Sequence, residues 1–273
     1  MSIVTRTYVQ PTLLDNLKVQ YQVIRALMLR QILLRWGRNN LGYLWLFLEP
    51  LIMIAVIAGF IALVNQHGFE KAHNGIEVLP FLFLGVSSAW TWRMISHKCG
   101  GAFSGNIPLL EHRYIRPLDL FLSAAVIEIL GVSTAFLVIY IFLMFFGLIT
   151  LPQNIPLLIM AWVLMCWFGL AFGIFFGALS GAFDFVDFVM RGINVLFYIT
   201  SGVFFAVVWL PPEYRDVALI NPMIHGTEML RHAYFGDKLE TFEDPAYLIA
   251  WNVGLTFLAL LIARASWLED IRE

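Results

Sequence analysis

Apolar residues gather into six runs, at Leu41 to Val64, Leu79 to Ile95, Leu118 to Thr150, Ile155 to Phe183, Phe188 to Leu210 and Tyr247 to Ala263, with short polar turns between them. A helix needs about 20 apolar residues to cross the hydrocarbon core. Most runs meet that length, and the second is marginal because Arg93 sits near its end. Lipid offers no partner to free backbone N–H and C=O groups, so helices are the required form. The pattern predicts an all-α integral membrane protein of six spans, a single transmembrane domain over residues 1–273. It divides into an arm at 1–40, five spans within 41–210, an external hairpin at 211–245, and a sixth span with a tail at 246–273.

The polar margins carry patterns of their own. In the arm, Leu13, Leu17, Ile24, Leu27 and Met28 recur at near-helical spacing among Lys18, Arg25, Arg30, Arg35 and Arg38. That predicts an amphipathic helix in the membrane interface, either a contact for a partner or a basic anchor for lipid headgroups. Between Lys98 and Pro117, Gly100, Gly101 and Gly105 precede Leu109, Leu110, Glu111, His112, Arg113 and Tyr114, which reads as a short helix between breakers, a contact surface or a plain connector. Gly169, Gly173, Gly177 and Gly181 stripe one face of the fourth run, the spacing at which small residues let helices approach closely in lipid. From Pro211 to Asp244 the sequence predicts two short helices, one opened by Pro211-Pro212, the next by Asn221-Pro222 and ended by Gly236. Its apolar positions suggest a hairpin dipping back towards the bilayer, which is tolerated only where protein buries it or water reaches it.

With 60% hydrophobic and 13% charged residues, too little polar sequence remains for a soluble domain of ordinary size. The net charge of −2 decides little, but its distribution does. If the amino terminus is cytoplasmic, only Lys71, Arg215, Arg231 and Lys238 of the 17 Lys and Arg fall outside, which fits both termini in the cytoplasm. The first apolar run starts too late and runs too long for a cleavable signal, so the first span is expected to act as the insertion signal. Cys99 and Cys166 are too separated to suggest a disulfide or a metal site.

Chemistry-bearing residues are few. Glu49, before Pro50, and Glu128 stand roughly 12 to 15 Å into their spans at 1.5 Å per residue. An ionisable group at that depth is a functional candidate, with a hydrogen-bonded structural carboxyl as the alternative. His225, Glu228 and His232 share a helical face; a metal site is one reading, and an ion pair between Glu228 and Arg231 is the other. Trp45, Trp90 and Trp92 suit either interfacial anchoring or stacking against sugar rings. No GxSxG elbow and no GxxxxGK[ST] loop occur, so any ATP used is bound by another chain. The charge pattern asks for no nucleic acid and for contact with membrane lipid.

Arg30-Gln31-Ile32 through Arg35-Trp36-Gly37, then Leu41-Gly42-Tyr43-Leu44-Trp45 and Leu48-Glu49-Pro50, resemble the start of the membrane subunit of bacterial capsular polysaccharide ABC exporters, within the type-2 ABC exporter class. Tyr114-Ile115-Arg116-Pro117-Leu118-Asp119 is similar to that family's segment after the cytoplasmic helix, and Asn221-Pro222-Met223-Ile224-His225 with Glu228 and Arg231 to its external hairpin motif. The resemblance implies a half-transporter. A second copy would complete the channel, and two copies of a separate cytoplasmic ATPase would bind ATP and Mg, leaving no cofactor in this chain. It further implies coupling to the ATPase through Arg25, Arg30, Arg35, Arg38, Glu111 and Arg113; a channel or substrate path at Trp45, Glu49, Trp90, Trp92 and Glu128; and an external gate at Asn221, Pro222, His225, Glu228 and Arg231. The cargo would be a lipid-linked polysaccharide leaving through the inner membrane towards a periplasmic adaptor and an outer-membrane conduit. O-antigen and teichoic acid exporters share the architecture. An ion-coupled carrier using Glu49 and Glu128, or a membrane enzyme acting on lipid-linked sugar, are the readings from other classes.

Overall fold

The structure, a computed structural model, describes residues 13–36, 52, 76–110, 115–181, 183 and 185–270. Among these residues all regular structure is helical: α1 (Leu13–Trp36), α2 (Val78–Ser104), α3 (Pro117–Phe145), α4 (Ile155–Ser180), α5 (Val186–Thr200), α6 (Pro212–Leu219), α7 (Pro222–Phe235) and α8 (Pro245–Asp270), with 3-10 turns at Ile107–Leu109, Val207–Trp209 and Gly236–Lys238. Helices α2, α3, α4 and α8 are long and apolar enough to cross a membrane. The first expected span, with Trp45 and Glu49, lies outside the described residues, as do Arg38, Glu111 and Arg113.

Helix α4 sits at the centre, packed chiefly on α2 and α8 and also on α7. The glycine stripe is what allows it. A Cβ at Gly169 would stand 2.7 Å from the Trp92 carbonyl oxygen, one at Gly173 2.6 Å from Cys99 Cβ, and one at Gly177 2.7 Å from the Gly100 carbonyl oxygen. The stripe is therefore a packing surface, and it brings the α2 and α4 backbones together where lipid supplies no hydrophobic drive of its own. Local sequence sets the helix starts. Pro117 opens α3 beneath a reciprocal cap between Arg116 and Asp119, and the Asn154 side chain accepts from the Leu157 N–H at the head of α4.

The bundle has two ends. At one, α1 meets the start of α3, and Gly181, after α4, abuts Phe103 near the end of α2. At the other, α7 is tied to the α3–α4 turn through Thr150 to Tyr234 and Gln153 to the Phe235 carbonyl. Two expectations are corrected. The glycines after Lys98 do not break the helix: α2 runs on through Gly100, which faces α4 and Met190, and through the open Gly101 to Ser104, with a 3-10 turn at Ile107–Leu109, while residues 111–114 of the expected short helix lie outside the described residues. The fifth run is not one span to Leu210. Helix α5 stops at Thr200 after 15 residues, about 22 Å at 1.5 Å per residue, and Gly202 follows with φ of 76°.

Two arginines explain how the apolar stretch beyond Thr200 survives without helical hydrogen bonds. Arg231 donates to the carbonyls of Val203 and Phe205 at 3.1 and 2.8 Å. Arg215 donates to those of Val208 and Leu210, each at 2.9 Å. Irregular backbone at apolar depth is stable only where protein groups satisfy it.

Candidate functional site

Between α2 and α5 lies a cleft of about 330 Å³ lined by Trp90, Arg93, Met94, His97, Arg191, Asn194 and Val195. Four of these are spaced i, i+3, i+4 and i+7 on α2 and three i, i+3 and i+4 on α5, so each helix presents one face to it. Two guanidinium groups and an imidazole line the space, with no carboxylate among the lining residues. The Arg93 guanidinium stands 5.3 Å from the centre of the Tyr198 ring and 6.0 Å from that of Trp90, within range of aromatic attraction. Asn194 fixes the two walls: its amide donates to the Met190 carbonyl at 2.9 Å, and its oxygen faces Ser96 Oγ at 3.4 Å. Cations beside aromatic faces offer charge to an acidic group and a flat apolar surface to a sugar ring.

Trp90 was expected on a substrate path, and it lines this cleft. Trp92 does not. It is fully buried, edge-on to Phe168, Phe172 and Phe197, and its ring presents no surface to a passing polymer within this protomer. Glu128 is buried on α3. Arg93, His97 and Arg191 were missed as a group. They are far apart in the sequence and only helix packing gathers them, although a basic residue interrupting the end of an apolar run was a usable signal.

At the opposite end the hairpin residues converge. Helix α6 begins at Pro211-Pro212, and α7 begins at Asn221-Pro222 and is ended by Gly236, but they differ in kind. Helix α6 buries none of its residues, whereas nearly all of α7 is buried among α2, α4 and α8. Asn221 caps α7 through the Met223 N–H and donates to Thr200 Oγ1 at 2.8 Å, tying it to the end of α5. His225 donates from Nε2 to the Leu219 carbonyl and accepts the Asp244 N–H on Nδ1, each at 2.9 Å, so the imidazole is neutral and staples the ends of three helices. Burial pushes its pKa below the ordinary value, against the opposing pull of the Leu219 carbonyl, Asp244 and Glu243. Glu228 and Arg231 form an ion pair at 3.4 Å with both side chains excluded from solvent, and the guanidinium lies 3.6 Å above the Phe81 ring. Gly85 makes room, since a Cβ there would meet Arg231 at 2.9 Å.

His225 and His232 do not share a ligand: His232 pairs with Glu243 instead. Among the described residues no three His, Cys, Asp or Glu side chains are grouped to hold a metal ion. Of the expected coupling residues, Arg25 and Arg30 are exposed on α1, Arg30 donating to Asn106 Oδ1 at 2.7 Å, and Arg35 lies in the last turn of that helix.

Residues 22–235 match the ABC-2 type transporter family. The chain is 34% identical over 255 residues to the capsule polysaccharide export inner-membrane protein BexB of Haemophilus influenzae, covering 93% of this chain and 95% of that one. It is 37% identical over 256 residues to the capsule polysaccharide export inner-membrane protein CtrC of Neisseria meningitidis, covering 93% and 94%. The polysialic acid transport protein KpsM of Escherichia coli is 24% identical over 250 residues, covering 92% and 95%.

Proposed function

Because the chain belongs to the ABC-2 type transporter family, we propose that it is the transmembrane subunit of an ATP-driven exporter that moves a lipid-linked capsular polysaccharide across the bacterial inner membrane. Two copies enclose the path, and two copies of a separate cytoplasmic ATPase bind ATP and Mg. Both termini are cytoplasmic, and the hairpin end faces a periplasmic adaptor and an outer-membrane conduit. The names of the relatives support the cargo.

The observation that carries the reading within this chain is the cleft. Arg93, Arg191 and His97 beside Trp90 and Tyr198 suit an acidic glycan or its lipid-borne phosphate, and they stand in the half of the bundle nearer α1, where cargo made in the cytoplasm would arrive. Their charges then recruit the cargo, while a chain that binds no nucleotide leaves the energy to its partner. The test is reconstitution with the ATPase in proteoliposomes, scoring ATP-dependent transfer of lipid-linked polymer. Arg93→Ala with Arg191→Ala is expected to lower transfer while ATPase assembly persists. Transfer at the original rate in that double variant would remove the cleft from the path; transfer driven by a proton gradient without ATP would replace the exporter with a carrier.

A further inference from the structure

Helix α1 makes its main contact with α3, across that helix's first turns. Gln20 Nε2 donates to Asp119 Oδ1, and Gln31 Nε2 donates to Ser123 Oγ at 3.1 Å. Eleven residues of α1 separate the two donors, about 16 Å, but only four residues of α3, about 6 Å, separate the acceptors. The helices therefore cross rather than run side by side, as they would with α1 lying along a membrane surface and α3 entering it. Asp119 and Ser123 are fully buried. The second Asp119 oxygen accepts the Arg116 N–H at 2.9 Å, so one carboxyl group holds both the start of α3 and the helix that crosses it.

From there the contacts lead to the cleft. Phe121, two residues on, stacks on Phe103 of α2 with ring centres 6.1 Å apart, and the Cys99 thiol faces the Phe121 carbonyl at 3.6 Å. Gly177 lets α4 rest on the same ring. Any displacement of the first turn of α3 is thus delivered to α2 within about two turns of Arg93 and His97. Meanwhile Leu17, Tyr21, Arg25 and Leu33 of α1 remain exposed for whatever moves it.

We infer that Gln20 and Asp119 form the joint through which movement of α1 by the ATPase is passed to α3 and so to the cleft. Both are positioning residues, and the inference rests on the exporter reading above. A joint differs from plain packing in its effect on coupling. Weakening it should let ATP hydrolysis continue while less polymer moves for each ATP.

The experiment is polymer exported per ATP hydrolysed by the full complex with its ATPase in proteoliposomes. Gln20→Glu sets two carboxyl groups head to head, and the ratio is expected to fall about fivefold or more, the lower end of ordinary coupling energies. Adding Asp119→Asn keeps an oxygen for the Arg116 N–H and supplies an amide donor to the new carboxyl, so the ratio should return to within about twofold of the original. Gln20→Ala, which removes the donor without adding charge, is expected to give an intermediate ratio and guards against failure of the first variant to assemble. An unchanged ratio in Gln20→Ala or Gln20→Glu, or a loss that Asp119→Asn does not rescue, would overturn the joint. A wild-type complex that moves no polymer with ATP would instead overturn the exporter reading and carry the joint away with it.

Discussion

Arg231→Met separates a buried ion pair from ordinary packing sharply, since Glu228–Arg231 is the ion pair with both side chains excluded from solvent among the described residues. The guanidinium is wholly buried, holds Glu228 at 3.4 Å, donates to two carbonyls of the broken stretch after α5, and covers Phe81. Methionine fills much of the space and removes all three donors' work. Leaving Glu228 buried without its partner costs about 3–5 kcal/mol, and each orphaned carbonyl adds about 1–3 kcal/mol before local relaxation. The expected loss is therefore at least about 3 kcal/mol. Adding Glu228→Gln removes the stranded charge but not the orphaned carbonyls, and should recover about 1–3 kcal/mol. The readout is denaturant unfolding of the nanodisc-reconstituted complex by tryptophan emission, for which Trp209 is well placed, stacked 4.8 Å from Phe81 beneath the guanidinium. Destabilisation below about 0.5 kcal/mol for the single variant, or a double variant no better than the single one, would refute the reasoning.

Gly173→Ala is expected to destabilise by about 1–3 kcal/mol, because its Cβ meets Cys99 at 2.6 Å, whereas Gly254→Ala, with open space, should be neutral or slightly stabilising; the same unfolding assay compares them. The His225 pKa is lowered in the folded protein, mainly by burial, so the stability that the neutral ring contributes is complete above the unfolded value near 6.5 and is lost as pH falls through the lower folded value. Unfolding should become easier on the acid side, and His225→Asn should flatten that slope, with Asp244, Glu243 and His232 standing beside the site in both proteins. Arg25→Glu with Arg30→Glu should leave the fold intact, since both side chains are exposed, and should reduce recovery of the ATPase with this chain on purification. Unchanged recovery would make α1 a lipid anchor.

Loosening the hairpin also takes a more definite form than its sequence suggests. Helix α7 is part of the core, so Pro222→Ala acts on the bundle, while α6 buries none of its residues and is held at its end by His225 to Leu219 and Tyr247 to Ile220 and at its start by Arg215 to Val208 and Leu210. Pro212→Gly, which loosens the start of α6 alone, is expected to raise resting ion conductance of the reconstituted complex with little change in unfolding; a silent bilayer recording would return α6 to passive cover.

Much of this protein was legible along the chain because its strongest signals are one-dimensional. Apolar length marks α2, α3, α4 and α8, Pro211-Pro212 and Asn221-Pro222 mark the starts of α6 and α7, and four glycines at fixed spacing mark the face by which α4 packs. Each needs only the local period of a helix and the rule that lipid satisfies no backbone. Tertiary structure decided the rest. The run from Phe188 to Leu210 is predominantly apolar and reads as one span, yet its helix ends at Thr200, and Arg231 and Arg215, from segments up to 28 residues away, supply the donors that its carbonyls lose. The same holds for the cleft. Arg93 and Arg191 are almost a hundred residues apart, and only the packing of α5 onto α2 sets them around one space. Periodicity is a property of one helix, but the partner that makes a broken helix or a buried charge stable is chosen by which helices touch.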